Sequence, residues 1–313
     1  MSKTDRQNEG FTDWRANTDD IANQLYKDFT EEQKAKLTEI QNTELKILSE
    51  LDRICTKHNI QYFMNGGSLL GAMRHGDFIP WDDDIDIDLK RDDYYKIIKI
   101  LPEELGDEFE FINYDEYGEY FCDFIPRIYY KNSRAVNSFS TDGGKTNFVN
   151  DDRMNRVFIE LYCLMDSDTS VVAKQYFQIK VIYGLAMGHR YIPTPGYNYT
   201  PIQKAEVAVL SNIGKRMPLK KIYEMYEKCA NQVPTGTGNR YFKPSVPLPV
   251  QNCNIFPKDI YDEQAEVNIR GNIIKVPGKI DEILSLLYSN WHELPGEKDR
   301  HPGHFNLLET EIF

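Results

Sequence analysis

Cysteine is scarce and scattered: Cys55, Cys122, Cys163, Cys229 and Cys253 include no CxxC pair. That spacing excludes a disulfide framework and a structural zinc site, and it fits a reducing compartment. Long apolar runs are missing too. No window approaches the roughly 18 uncharged apolar residues that a bilayer span needs, and the best stretch, Val171 to Met187, is interrupted by Lys174 and Lys180. Met1 to Asn17 is polar with no apolar h-region, so no secretory signal is expected and a cytoplasmic location is. Positive charge is in deficit, with 37 Lys and Arg against 49 Asp and Glu and a net charge of −12. Nucleic acid is therefore not an expected partner, although a local basic patch could still hold a nucleotide. No internal repeat or low-complexity tract appears.

What the chain does have is a short, dense run of acids behind a small-residue turn. Five carboxylates, Asp82, Asp83, Asp84, Asp86 and Asp88, fall within seven positions. Asp84, Asp86 and Asp88 alternate with Ile85, Ile87 and Leu89, which is strand periodicity. The apolar set can face a core while the acids converge opposite. Carboxylates two apart on one strand face stand about 7 Å apart, and their repulsion calls for a cation. Mg²⁺, with Mn²⁺ as the alternative, is the expected ion, because Mg²⁺ is held by one or two carboxylates together with substrate phosphates. An EF-hand is excluded by the absence of Gly at the sixth position of the loop pattern. Upstream, Gly66, Gly67 and Ser68 form a turn before a helix expected from about Leu69 to Arg74. Such a turn offers free backbone N–H groups to a phosphate. Together the two elements have the form of the nucleotidyltransferase-superfamily pattern.

Around this nucleus the elements alternate. Thr30 and Gln33 read as a capping box opening a helix to about Lys57, with Leu37, Ile40, Leu45, Leu48, Leu51, Ile54 and Cys55 as its buried stripe. Ile60 to Met64 reads as a strand, Asp92 to Lys99 as a helix stopping before Pro102, and residues 108–113 and 120–131 as a hairpin turning at Asp115–Gly118. Arg156 to Tyr162 reads as a strand with Phe158, Glu160 and Tyr162 on one face. Helices are expected over 170–187, 202–215, 219–232 and 280–289, a Pro/Gly loop over 234–249, and a hairpin around Gly271–Asn272. The expected fold is α+β: a nucleotidyltransferase-like mixed sheet core with flanking helices and a mostly helical C-terminal part. The expected division is a polar arm at 1–29, a catalytic core at 30–165 and a helical part at 166–313 packed on the core.

The run GSLLGAMRHGDFIPWDDDIDIDL, in the segment Tyr62 to Tyr94, closely resembles the signature of the LicD family of phosphotransferases, which includes fukutin and fukutin-related protein. The resemblance implies a CDP-linked alcohol as donor, phosphocholine first among the alcohols, and a glycan or glycolipid as acceptor, with CMP released. It also assigns the family's Asp-h-Asp metal pair to Asp84 and Asp86, with Asp82 adding to the same face. A further ligand is expected from a second strand, where the family usually has Asp and this chain has Glu160. Asp84, Asp86 and Glu160 are thus the candidate catalytic residues, and Asp82, Asp84, Asp86 and Glu160 the candidate metal ligands. Gly66, Gly67, Ser68, Arg74 and Arg127 are the candidate donor-phosphate ligands. Two of these have structural alternatives: Glu160 as a salt-bridge partner of Arg127 or Arg156, and Arg74 as a bridge to one of the aspartates. Asp83 is expected to serve structure, Asp88 is a secondary ligand candidate, and His301 and His304 do not by themselves make a metal site. The rival activities are attack on the α-phosphate of a nucleoside triphosphate and a catalytically silent nucleotide-binding module.

Overall fold

The computed structural model describes residues 29–118, 121, 124–135, 152–189, 200–245 and 255–313. The N-terminal arm, Cys122, Cys253 and the Tyr-rich segment 191–199 lie outside the described residues. Helix α1 (Glu31–His58) opens with the expected reciprocal cap: the Thr30 hydroxyl accepts from Gln33 N–H and the Gln33 side chain accepts from Thr30 N–H. Every residue of its expected apolar stripe is buried. The helix stops at Asn59, whose left-handed backbone (φ 50°) returns its N–H to the last carbonyls.

The chain then runs β1 (Tyr62–Asn65), α2 (Gly66–Arg74), β2 (Asp86–Lys90), α3 (Arg91–Glu104), β3 (Phe109–Ile112), β4 (Arg127–Tyr130), β5 (Ser133–Arg134) and β6 (Phe158–Ser167). The central sheet has the order β1-β2-β6-β4-β3, with β2 and β6 parallel and the other neighbours antiparallel. Ile87, Leu89, Leu161, Ile128 and Ile159 are fully buried in the same core as Leu48 and Leu51 of α1 and Ile97 and Leu101 of α3. The alternation of apolar residues with Asp86, Asp88, Glu160 and Arg127 leaves the opposite face for polar groups.

Helices α4 (Val172–Ala186), α5 (Pro201–Gly214) and α6 (Leu219–Ala230) follow. Their own apolar cluster joins the sheet end through Phe124, which stacks on Tyr226 at 4.1 Å. The C-terminal part adds strands as well as helices. Strands β7 (Arg240–Phe242) and β8 (Ile255–Pro257) extend the sheet from the far end of β6, so the sheet continues beyond residue 165. A hairpin of β9 (Gln264–Ile269) and β10 (Asn272–Pro277) precedes α7 (Ile280–Tyr288), and β11 (Glu311–Ile312) pairs with β5.

Four expectations need correction. Helix α2 begins at Gly66, not Leu69. Helix α3 continues through Pro102 to Glu104, because a proline near a helix end costs only one backbone bond there. Residues 115–118 form a helical turn (Tyr114–Tyr117) instead of a hairpin turn. The 234–249 loop contains β7; the hairpin expected around Gly271–Asn272 is present as β9–β10, turning at Arg270–Gly271, where φ is 51° and 86°.

Candidate active site

Strand register decides what meets what. Asn65 on β1 lies opposite Asp86 on β2, Asp86 opposite Glu160 on β6, and Glu160 opposite Arg127 on β4. Residues paired across neighbouring strands point to the same face, so these four side chains form one row across the sheet. The helix N-terminus joins the row from above. Gly66 has φ +62°, and a Cβ there would stand 2.3 Å from Asp86 Oδ2; a Cβ at Gly67 would stand 2.6 Å from Asp82 Oδ2. Only glycine lets the acids approach the turn this closely. Ser68, buried, donates its hydroxyl to the Asp84 carbonyl at 3.1 Å and accepts from Asp86 N–H at 3.4 Å, tying the acid segment to α2. Gln41 of α1 donates to the Asp82 carbonyl at 2.9 Å and is itself held by Arg270 at 2.7 Å. Asp82–Ile85 is thus fixed largely by side chains from elsewhere, and ladder pairing to β1 begins at Asp86.

The electrostatics are those of an anionic pocket. Burial raises the pKa of Asp82 and Asp86 well above the usual carboxylate range, and repulsion from Asp84 adds to it. Asp84 is raised by burial as well, against the opposing charge of His304. Asp82 Oδ2 is buried with no hydrogen-bond donor among the described residues. Glu44 of α1, fully buried, finds no donor for either oxygen among the described residues and is raised by burial and then by Asp84, Asp83 and Asp82. Buried carboxylates crowded together with an orphaned oxygen fit a divalent cation, whose charge would remove the repulsion. Asp82, Asp84 and Asp86 are the residues present to hold it.

Glu160 is more fully engaged. Its Oε1 accepts from Arg127 Nε at 2.8 Å and pairs with Nη2 at 2.8 Å, while Oε2 accepts from the Tyr162 hydroxyl. Burial pushes its pKa up, but the charges of Arg127 and His304 and the Tyr162 hydroxyl outweigh that, and the net shift is downward. Arg127 also lies 5.1 Å over the Phe158 ring. The ion pair with Arg127 that sequence offered as an alternative is present; Arg156 pairs with Glu110 at 2.6 Å. Arg74 is drawn the other way. It donates to the carbonyls of Trp291 and Glu293 at 3.3 and 2.9 Å and to the His75 ring at 3.0 Å, clamping the C-terminal segment to α2. Beside it, burial and then the Arg74 charge push His75 down to about 3. Asp88 is fully buried, bound to Asn65 at 2.6 Å, Tyr261 at 2.7 Å and Lys243 at 2.5 Å, and so acts as a structural hub.

Sequence reasoning missed the part played by the C-terminal segment. Asp83 accepts from the backbone N–H groups of Gly303, His304 and Phe305 at 2.7–3.1 Å. That anchor delivers His304 to the acids, with Nδ1 3.3 Å from Asp83 and Nε2 3.6 Å from Asp84. Burial opposes protonation, yet Asp84 and Asp83 raise its pKa to about 10. Ligand atoms of Asp83, Asp84 and His304 lie within 4.8 Å of one another, although Asp83 is already occupied by the three amides. Little in the local sequence signalled this: a Cβ on Gly303 would make only an ordinary contact, 3.8 Å from Asp83 Oδ1, so no glycine requirement marks the approach. Lys243, buried beneath the row, had no signal either.

A glycine-opened helix seated on a row of acids in a mixed sheet is the arrangement that the sequence pattern leads us to expect of a nucleotidyltransferase-type domain. Residues 59–183 match the family described as LicD/FKTN/FKRP, nucleotidyltransferase domain, and this match supports a LicD/FKRP-like transferase. It is similar to the lipopolysaccharide cholinephosphotransferase LicD of Haemophilus influenzae, 22% identical over 287 residues covering 87% of this chain and 97% of that protein. It is also similar to the ribitol 5-phosphate transferase FKRP of Homo sapiens and Mus musculus, 45% identical over 47 residues, 15% of this chain and 10% of those proteins. The uncharacterized protein RP689 of Rickettsia prowazekii is 41% identical over 63 residues, 20% of this chain and 24% of that protein. No helix among the described residues is long and apolar enough to cross a membrane.

Proposed function

We propose that the protein transfers a phospho-alcohol, phosphocholine first among the candidates, from a CDP-linked donor to a hydroxyl of a glycan or glycolipid, releasing CMP. The observation that carries this reading is the contact between the two halves of the site: Gly66 and Gly67 lie directly against the Asp86 and Asp82 carboxylates. An anion-binding helix N-terminus and a cation-binding acid row then face one small volume, which suits a diphosphate chelated by a metal. Mg²⁺, held by Asp82, Asp84 and Asp86, would neutralise the diphosphate and the departing CMP.

The remaining steps belong to the chain's own groups. The amides at Gly66–Gly67 bind the donor phosphate, and Ser68 holds the turn and the acids in one geometry. The positive charge of Arg127, paired with Glu160 in the same row, offsets the charge of the transferring phosphate. Glu160, expected from sequence as a fourth ligand, has both oxygens engaged and serves to position Arg127. Asp86, which lies against Gly66 in the row, orients the acceptor hydroxyl. Catalysis is mainly positioning and charge stabilisation, as for phosphoryl transfer generally.

The similarity to LicD and FKRP supports transfer of a phosphorylated alcohol to a glycan-type acceptor over attack on a nucleoside triphosphate. The test is a panel of CDP-choline, CDP-ethanolamine, CDP-ribitol and CDP-glycerol, scored for Mg²⁺-dependent thermal stabilisation and CMP release. CMP from one of them is the expected result. Pyrophosphate from a nucleoside triphosphate, with no CMP from any CDP-alcohol, overturns the reading. Binding without turnover of any donor would make the chain a silent module.

A further inference from the structure

Three of the acids sit on a stretch that the β1–β2 ladder does not hold. Ladder pairing starts at Asp86, and the chain between α2 and that point is irregular. Two hydrogen bonds fix the Asp82 backbone. Its N–H donates to the Ile79 carbonyl at 2.9 Å, inside the same stretch, and its carbonyl accepts from Gln41 Nε2 at 2.9 Å. The second bond is the one that ties Asp82 to another element, α1. Asp82 Oδ2 is buried without a hydrogen-bond partner among the described residues, so the backbone decides where that oxygen stands.

Gln41 is buried, and the two ends of its amide have different partners. Nε2 donates to Asp82, while Oε1 accepts from Arg270 Nη2 at 2.7 Å. A guanidinium carries donors only, so it binds the oxygen end of an amide and rejects the nitrogen end. With Arg270 in place, the amide has one favourable orientation and its N–H groups face the Asp82 carbonyl. Without Arg270 the buried Oε1 loses its donor, and a flipped amide would set two oxygens against each other at Asp82.

Arg270 is in turn held by several residues. Nε donates to Asp77 at 3.0 Å and Nη1 to Asn42 at 2.8 Å, and the guanidinium lies 5.2 Å over the Phe78 ring. Asp77 and Phe78 belong to the same irregular stretch as Asp82, so Arg270 grips that stretch directly at its start and through Gln41 near its acids. Its backbone, at φ 51°, lies in the region that a two-residue hairpin turn fills with glycine or asparagine. A residue kept there against strain is a candidate for function. The hairpin beneath it is a firm base: Ile269, Ile274 and Val276 are buried in the main core, and Gln264 donates to the Tyr62 carbonyl of β1 at 2.9 Å. Gln41 and Arg270 both fall outside residues 59–183, the segment that matches the family.

We infer that Arg270 is a positioning residue of the cation site: it fixes the Gln41 amide, and Gln41 sets the place of the Asp82 carboxylate. This rests on the reading that Asp82, Asp84 and Asp86 hold a divalent cation, and it adds a control of that site from the β9–β10 turn. Outer partners that orient metal ligands govern metal affinity by about 10–100-fold. Charge alone predicts the opposite sign: removing a cation near the acids should strengthen their hold on a metal ion. A weakening therefore reports lost orientation.

Mn²⁺ binding to the full chain, followed by electron paramagnetic resonance with no donor or acceptor present, tests it. Arg270→Met, which keeps a stem over Phe78, and the uncharged swap Gln41→Met should each weaken Mn²⁺ binding by about tenfold. The double variant should bind no more weakly than the weaker single one, because both changes break one relay. Arg270→Lys should not restore affinity, since an ammonium cannot span Asp77, Asn42 and Gln41 together. The Arg270 side chain is 27% exposed, so its variants should fold even if Gln41→Met does not. Asp84→Asn is the control for the metal reading and should abolish binding. If the unaltered chain binds no Mn²⁺, or Asp84→Asn binds it normally, the metal reading falls and the inference with it. If Asp84→Asn loses the ion while Arg270→Met stays within about twofold of the unaltered chain, the inference alone is overturned. Additive losses in the double variant, or full affinity in Arg270→Lys, overturn it as well.

Discussion

Replacing Glu160 by glutamine keeps the outline of the side chain and removes its charge. Arg127 is only 6% exposed and has two of its N–H groups on one Glu160 oxygen at 2.8 Å. After the change a guanidinium remains buried against a neutral amide. Breaking a buried pair from one side costs about 3–5 kcal/mol. The amide oxygen still accepts from Arg127, which retains about 1 kcal/mol, and Asp84 and Asp86 are relieved of a like charge. A net loss of about 2–3 kcal/mol is therefore expected. For a chain of this size that lowers Tm by about 4–6 °C, taking about 2 °C per kcal/mol. Differential scanning calorimetry in chelator gives the Tm, and a Mg²⁺ titration of the rate gives the metal response. The donor KM should rise, because Arg127 loses its fixed orientation, while half-saturating Mg²⁺ moves by less than about threefold. The double variant Glu160→Gln, Arg127→Met should regain part of the lost stability. An unchanged Tm together with a rise of about tenfold in half-saturating Mg²⁺ would refute the reasoning and make Glu160 a metal ligand.

Asp84→Asn and Asp86→Asn should each abolish CMP release while leaving Tm in chelator level or higher, since one repelling charge is gone; near-normal turnover removes that residue from the site. The pH dependence of Asp86 follows from its sign. A carboxylate whose folded pKa is raised favours folding most at low pH, and that contribution is lost as pH climbs from its unfolded value of about 4 through the raised one. The Tm gain of Asp86→Asn over the unaltered chain should thus grow between pH 4 and 7 in chelator and shrink with Mg²⁺; a pH-independent gain contradicts it. Gly66→Ala should lose activity by displacing Asp86, whereas Gly76→Ala, with φ +68° but nothing within 4 Å of its added Cβ, should lose only about 1–2 kcal/mol of stability; equal kinetics for the two variants would show that the close approach at Gly66 is not used. Asp83→Asn should cost about 1.5–3 kcal/mol through three weakened charge-assisted bonds, and hydrogen exchange at 303–305 should speed up; unchanged protection there would mean the segment is held otherwise.

Local signals were legible in the sequence and long-range pairings were not. The Thr30–Gln33 cap, the apolar stripe of α1 and the Asp-Ile alternation each express interactions within a few residues. The resemblance of the 62–94 run identified the acid row and the helix N-terminus together. The Glu160–Arg127 pair was named only as an alternative, because it depends on the register of β6 against β4, which no local pattern sets. Arg74 lies beside the acids in sequence, yet its guanidinium follows carbonyls more than 200 positions away. Pro102 read as a stop signal although it falls in the last turn of α3, where packing of Leu101 overrides propensity. His304 could not be placed from a tail-like context, since its location depends on where Asp83 captures the backbone.

The Asp83 anchor also sets a schedule. The acids are synthesised about 220 positions before the amides that hold Asp83 and before the His304 ring that faces Asp84. At about 5–20 residues per second, the interval is about 10–40 s of translation. During it the nascent chain can build α1, α2 and the first strands, but the aspartates stand together with neither His304 nor the closing segment. The pocket is therefore assembled late and as one event, and a ribosome-bound chain short of residue 303 has the motif without the finished site.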